Sequence, residues 1–219
     1  MRVKICGTAT FADLICAVRA RADAIGFLMG ITHTTQDAIT PEATATMVAK
    51  LPSFIEPVAV THLTKPDQLI QIIETSQCKT LQIQDIVTLE DIAEIRETLP
   101  DIRIIKAVHV MDTSAIATVQ YFADLVDAIL LDTKTEERIG GTGIPHDWDI
   151  SAKIVEICPK PVILAGGLTP ENVKKAIYHV KPYAVDVHTG VKKNGIRNLE
   201  RTITFVKNAK TSRFELNFN

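Results

Sequence analysis

Two residues of this chain combine a reactive side chain with a place at the end of an apolar run: Cys6, closing Val3-Lys4-Ile5-Cys6, and Asp132, closing Ile129-Leu130-Leu131-Asp132. A thiolate can take a proton from carbon when a neighbouring cation, an oriented dipole or a helix N-terminus lowers its pKa. A carboxyl at the tip of so apolar a run is partly dehydrated, which raises its pKa and suits a general acid. A thiol base and a carboxylic acid in one site fit an aldose–ketose isomerisation. One group protonates a sugar oxygen while the other moves a proton from the adjacent carbon. Position alone also allows Cys6 to be a small buried hydrophobe and Asp132 to be a cap or a loop salt-bridge partner.

Three glycine-containing turns follow late in the chain: Gly140-Gly141-Thr142-Gly143, Ala165-Gly166-Gly167-Leu168 and Asp186-Val187-His188-Thr189-Gly190. The last two directly end β-branched runs, Val162-Ile163-Leu164 and Ala184-Val185. Glycine at such a turn lets backbone N–H groups approach an anion and accepts positive φ. Two such turns on neighbouring parallel strands make a phosphate-holding rim, as after strands seven and eight of a (β/α)8 barrel. Gly141, Gly143, Gly166, Gly167, His188, Thr189 and Gly190 are therefore the candidate phosphate ligands, and a phosphorylated small molecule is the expected substrate.

The elements that must position these groups are legible as alternating patterns. Strand candidates fall near 2–6, 23–28, 55–61, 80–84, 103–109, 127–132, 161–165 and 184–188. Helical periodicity occupies 11–21, 41–51, 65–76, 88–98, 112–122, 149–157, 170–179 and 198–209, as in Leu69, Ile70, Ile72 and Ile73. Thr40-Pro41-Glu42 and Thr169-Pro170-Glu171 each place Thr at N-cap and Pro at N1. Strands alternating with helices imply parallel pairing through helical crossovers. The expectation is a single domain over residues 1–219, a closed (β/α)8 barrel, with an open doubly wound sheet as the alternative. Chemistry in such a barrel belongs to the C-terminal ends of the strands. That rule leaves Cys6, Met29, Thr61 or His62, Gln84 or Asp85, His109, Asp132, Ala165 and His188.

Bulk properties narrow the class. The 219 residues are 46% hydrophobic with a net charge of −2, which suits a soluble globular chain with a full core. No stretch approaches the roughly 20 apolar residues that span a bilayer, and the N-terminus is too short and strand-like for a signal peptide, so a cytoplasmic location is expected. The charge balance gives no footprint for nucleic acid. Lys192, Lys193 and Arg197 read as a solvated surface cluster. Cys6, Cys16, Cys78 and Cys158 have no zinc or CxxC spacing, and His33, His62, His109, His146, His179 and His188 have no ligand spacing. No metal site is expected. Lys106 could form a Schiff base in an aldolase, but it precedes the end of its strand, and a structural role inside the barrel is the expectation.

Taken in order, several segments resemble the phosphoribosylanthranilate isomerase family. They are Lys4-Ile5-Cys6-Gly7, Ala22-Asp23-Ala24-Ile25-Gly26-Phe27, Leu130-Leu131-Asp132-Thr133, Gly140-Gly141-Thr142-Gly143 with Asp147-Trp148, Leu164-Ala165-Gly166-Gly167-Leu168 with Pro170-Glu171-Asn172-Val173, and Val185-Asp186-Val187 with Gly190-Val191. The resemblance implies an Amadori rearrangement in tryptophan biosynthesis, with Asp132 as acid, Cys6 as base, no metal or organic cofactor, and a monomer or homodimer. The departures cluster on one side. Thr8-Ala9 replace an aliphatic residue and Thr. The loop Ile31–Ala38 is longer than the family's Ser-Pro-Arg loop and holds no Arg or Lys. Asp37 falls where an Arg that pairs with the substrate carboxylate is expected. Thr61-His62-Leu63 replaces a Phe-containing run, Ile83-Gln84-Asp85 replaces Leu-His-Gly, and His188-Thr189-Gly190-Val191-Lys192 replaces Ser-Ser-Gly-Val-Glu. Thr8, His33, Asp37, His62 and Gln84 are accordingly the candidate pocket residues. A bare Asp37 would repel an anthranilate carboxylate, leaving Lys4, Arg2 or the histidines to serve it. Another phosphorylated sugar or sugar-amine, or non-catalytic binding of a phosphate ligand, are the alternatives.

Overall fold

Eight short parallel strands alternate with eight helices among the residues the computed structural model describes, 1–135, 138–139 and 146–212. The strands are β1 (Arg2–Ile5), β2 (Ala24–Leu28), β3 (Glu56–Thr61), β4 (Thr80–Ile83), β5 (Arg103–His109), β6 (Ala128–Asp132), β7 (Val162–Leu164) and β8 (Ala184–Val187). The helices are α1 (Phe11–Arg19), α2 (Pro41–Val48), α3 (Pro66–Ser76), α4 (Leu89–Thr98), α5 (Ser114–Ala123), α6 (Trp148–Ile157), α7 (Val173–Val180) and α8 (Leu199–Thr211). β1 pairs with both β2 and β8, so the sheet closes as a single-domain (β/α)8 barrel rather than opening as a doubly wound sheet. Two short antiparallel pairs decorate its mouth, Lys134–Thr135 with Arg138–Ile139 and Lys192–Lys193 with Ile196–Arg197.

The period of two along each strand divides the buried residues into layers. Val3, Ile5, Ile25, Phe27, Ile104, Ile129 and Leu131 point outward and pack under the helices. Cys6, Leu28, Val58, Val60, Ile105, Ala107, Leu130, Ile163, Ala165 and Ala184 form a second, inner cluster. Polar residues of the inward parity, Lys4, Gln82, Gln84, Asp132 and Asp186, are also buried. Lys106 has the outward parity. Its Nζ donates to the Ala107 carbonyl at 2.7 Å and lies 5.4 Å from the Phe122 ring centroid, beneath α5. The expected place inside the barrel is corrected: Lys106 stands between the barrel wall and the helices. A Schiff base with a ligand in the mouth is thereby out of its reach.

Local chemistry sets the helix starts. Thr40 Oγ1 accepts from the Ala43 N–H and α2 begins at Pro41, as the Thr-Pro-Glu signal predicts. The same signal at Thr169-Pro170-Glu171 misplaces α7, which begins at Val173. Asn172 is the reason: its side chain accepts from the Thr169 N–H (2.8 Å) and donates to the Gly167 carbonyl (2.9 Å), holding 169–172 as a turn.

Candidate active site

Cys6 and Asp132 open into one cavity at the C-terminal mouth of the barrel. Its walls include Leu28, Ile31, His33, Thr35, Asp37, Val60, His62, Gln82, Gln84, Ala165–Leu168, Asp186 and His188–Gly190. The structure thus brings together Cys6, Asp132, Gly166, Gly167, His188, Thr189, Gly190, His33, Asp37, His62 and Gln84. Gly141 and Gly143 lie outside the described residues. Thr8 does not reach the cavity: its N–H continues the wall by donating to the Gly26 carbonyl, and its hydroxyl is buried.

Cys6 continues β1 through a bond from its N–H to the Val187 carbonyl. Lys4, two residues earlier and on the same face, reaches Asp186 Oδ2 at 3.0 Å in a fully interior ion pair. Gly26 on β2 makes room for both. A Cβ there would lie 2.9 Å from Cys6 Sγ and 3.2 Å from Lys4 Nζ. Burial pushes the Cys6 thiol up to about 11; the Lys4 ammonium opposes this, and the Asp186 carboxylate reinforces it. The expected lowering of the Cys6 pKa is therefore not present. The physical reason is burial, which outweighs the Lys4 ammonium, and the Asp186 carboxylate paired with that ammonium adds to the rise.

Asp132 matches its expectation more closely. Burial raises its carboxyl to about 6, with the N–H of Thr133 pulling the other way and the Asp186 charge adding to the rise. Thr133 N–H donates to Oδ1 at 2.8 Å, and Gln84 Nε2 lies 3.4 Å from Oδ2. Gln82 donates in turn to Gln84 Oε1 at 2.7 Å. The two amides form a ladder up the inside of β4 that holds the acid in place. Gln82 is absent from the sequence-based candidates, although its parity with Gln84 was the available signal.

The glycine turns on β7 and β8 meet each other. Gly166 and Gly167 both have positive φ, 78° and 63°. Gly190 packs so closely on the Leu168 carbonyl that a Cβ would overlap it. Opposite them the wall is made of side chains. His62 Nδ1 and Thr32 Oγ1 lie 3.0 Å apart, and the His33 and His62 ring centroids are 5.2 Å apart.

Asp37 lines the cavity but is not bare. His188 Nε2 lies 2.7 Å from its Oδ2, and Lys192 Nζ also bonds that oxygen. Burial opposes ionisation, yet the bonds from His188 and Lys192 hold its carboxyl down to about 2. The expected repulsion of a substrate carboxylate is corrected, because the charge is already neutralised. Lys4 is sequestered by Asp186, and Arg2 sits with Arg103, Pro161 and Tyr183 around a cavity at the N-terminal ends of the strands. Neither can serve a ligand in the mouth. The surface reading of Lys192 and Arg197 is also corrected. The Arg197 side chain is 2% exposed and donates from Nη2 to the Cys6 and Gly7 carbonyls at 2.6 and 2.8 Å. Only Lys193 of the three is exposed.

A closed (β/α)8 barrel with a thiol and a raised carboxyl beneath paired glycine turns defines the class: an acid–base site suited to a sugar phosphate. The profile of N-(5'-phosphoribosyl)anthranilate (PRA) isomerase matches residues 3–208. The curated N-(5'-phosphoribosyl)anthranilate isomerase 2 of Methanosarcina mazei is 39% identical over 219 residues, 99% of this chain and 97% of that one. The crystal structure of the phosphoribosyl anthranilate isomerase of Thermotoga maritima superposes with a TM-score of 0.85 at 33% identity, covering 96% of this chain and 98% of that one. A phosphoribosyl anthranilate isomerase in complex with reduced 1-(o-carboxyphenylamino)-1-deoxyribulose 5-phosphate superposes at 0.81 with 30% identity, covering 96% and 98%. The chain belongs to the phosphoribosylanthranilate isomerase family.

Proposed function

We propose that this chain isomerises N-(5'-phosphoribosyl)anthranilate in the Amadori step of tryptophan biosynthesis, with Asp132 as general acid and Cys6 as general base. The observation that carries the reading is the juxtaposition in one cavity of a thiol, a carboxyl raised to about 6 and the two glycine turns. The backbone N–H groups of Gly166–Gly167 and His188–Gly190 hold the phosphate.

The Asp132 carboxyl gives its proton to the furanose ring oxygen, and the bond from that oxygen to C1 breaks. The nitrogen lone pair moves into a C1–N double bond, leaving an iminium ion. The Cys6 thiolate then takes the C2 proton, and the C–H electron pair becomes the C1–C2 double bond of a neutral enolamine. Protonation at C1 and loss of the C2 hydroxyl proton then give the 1-deoxyribulose product, a ketone at C2. With a pKa of about 6, roughly a tenth of Asp132 is protonated at pH 7. Cys6 is the less prepared partner. The Lys4 ammonium beside it and the iminium charge next to C2 both favour the thiolate.

A more polar sugar substrate has its argument in the changes toward Thr, His, Gln and Asp around the pocket. Of these, Asp37 is bonded to His188 and Lys192 and no longer argues against a carboxylate. The test is loss of phosphoribosylanthranilate fluorescence by the purified protein beside a Cys6→Ala control. Turnover that disappears in the control supports the assignment. No turnover by folded protein refutes it.

A further inference from the structure

The proposed substrate carries two anions at its ends, a phosphate and an aromatic carboxylate, and among the described residues the cavity offers an obvious partner for only the first. Among the described residues, no Lys or Arg side chain lines it. The nearby cations are engaged elsewhere: Lys4 with Asp186, Lys192 with Asp37, and Arg197 with the Cys6 and Gly7 carbonyls. Three lining side chains can still become cations: His33, His62 and His188. His188 sits on the phosphate turn, and its Nε2 is bonded to Asp37. That leaves the pair formed by His33 and His62.

Their placement fits a second anion. In the barrel order β1-β8-β7-β6-β5-β4-β3-β2, β3 stands directly across from β7. His62, just after β3, therefore faces Gly166–Gly167, just after β7, across the mouth. The apolar side chains of Leu28, Ile31 and Val60 line the same side and supply a surface for a flat ring. With His62 Nδ1 turned toward Thr32 Oγ1, its Nε2 is the nitrogen left to a ligand.

We infer that His33 and His62 together receive the carboxylate of the anthranilate group, in place of the arginine that the family resemblance leads one to expect at position 37. The inference rests on the proposed function. Its consequence is a substrate affinity linked to protonation. Burial lowers the pKa of His62, His33 lowers it further, and Asp85 after β4 acts in the opposite sense. On His33 the facing titratable group is His62. An entering carboxylate favours the imidazolium form of both rings, so the carboxylate contributes most at low pH and loses its contribution as the pair deprotonates.

The experiment compares two ligands, the reduced carboxyphenylamino-deoxyribulose phosphate and the same molecule without its ring carboxyl. The phosphate ionises identically in both, so the ratio of their dissociation constants isolates the carboxylate. In the unaltered protein the carboxylated ligand is expected to bind roughly tenfold to a hundredfold tighter near pH 6. The ratio should fall toward one above about pH 8. In His33→Gln/His62→Gln the ratio should be small and flat with pH, and turnover should change in KM rather than kcat. His33 is exposed, so His33→Gln alone keeps the fold and should flatten the profile in part. A ratio that does not vary with pH, or that survives the double substitution while phosphoribosylanthranilate is still turned over, overturns the histidine assignment and leaves the isomerase reading standing. Failure of either ligand to bind, with no turnover, overturns both.

Discussion

The two halves of the barrel mouth are built from different materials. The half over β7 and β8 is backbone: Gly166, Gly167 and Gly190, of which Gly166 and Gly190 leave no room for a single added methyl. The half over β2, β3 and β4 is side chain: His33, His62, Gln84 and Asp37, each positioned by a partner distant in sequence. A phosphate is common to many substrates and is met by N–H groups that no side-chain substitution removes. The group that distinguishes one substrate from another is met by side chains, which can be exchanged as long as charge stays balanced. Asp37 and Lys192 illustrate such an exchange. Where the resemblance leads one to expect Arg and Glu, Asp37 and Lys192 stand instead and bond each other.

Asp132 lies between the halves, and its removal should produce the largest effect. Asp132→Asn is expected to lower kcat by about 10²- to 10⁴-fold while a phosphate-bearing product analogue still binds. Equal loss of analogue binding would mean that Asp132 belongs to the binding halves instead. The same variant has a stability signature. The folded pKa of Asp132 lies above the usual carboxylate value, so burying its charge opposes folding as pH rises from about 4 through about 6. Asn should therefore raise the melting temperature at pH 7 to 8, by up to about 3 kcal/mol in stability, with little change at pH 4.

Next comes the backbone half. Gly190→Ala forces its Cβ onto the Leu168 carbonyl, so the two glycine turns must separate. We expect KM to rise by roughly tenfold or more, inorganic phosphate to inhibit less strongly and stability to fall, measured by steady-state kinetics and thermal melting. A variant with normal phosphate inhibition would show that side chains hold the phosphate after all.

The smallest effect should fall on the side-chain half. Asp37→Asn keeps the shape but weakens the tie to His188 and Lys192, and KM is expected to rise about two- to fivefold with kcat nearly constant. Because the folded pKa of Asp37 is depressed to about 2, this tie holds at every pH above about 4 and loosens only as pH falls toward 2. A larger change in KM would place Asp37 in direct contact with substrate.

The legibility of the chain follows the same division. Strands, helices and the barrel itself were readable because they depend on local periodicity and on residues such as Thr40-Pro41, whose capping acts within one turn. Cys6, Asp132 and the turns after β7 and β8 were readable because strand ends in a parallel barrel converge by construction. The start of α7 was misplaced by a side chain a few residues away, Asn172, whose bonds to Thr169 and Gly167 override the Thr-Pro signal. Lys106 shares the parity of outward-facing Ile104, and that parity, rather than its place on the strand, puts it on the helix side of the wall.

What the sequence determined by itself was the order of elements and which groups meet at the barrel mouth, because both are carried by spacing along one strand or one turn. The tertiary structure alone decided which charges are free. Lys4 meets Asp186, Asp37 meets Lys192 and His188, and Arg197 meets the carbonyls of Cys6 and Gly7. Every one of these contacts joins the N-terminal quarter of the chain to its last barrel strand or to the segment just after it. Electrostatic interaction depends on distance in space, and a closed barrel brings the two ends of the chain side by side.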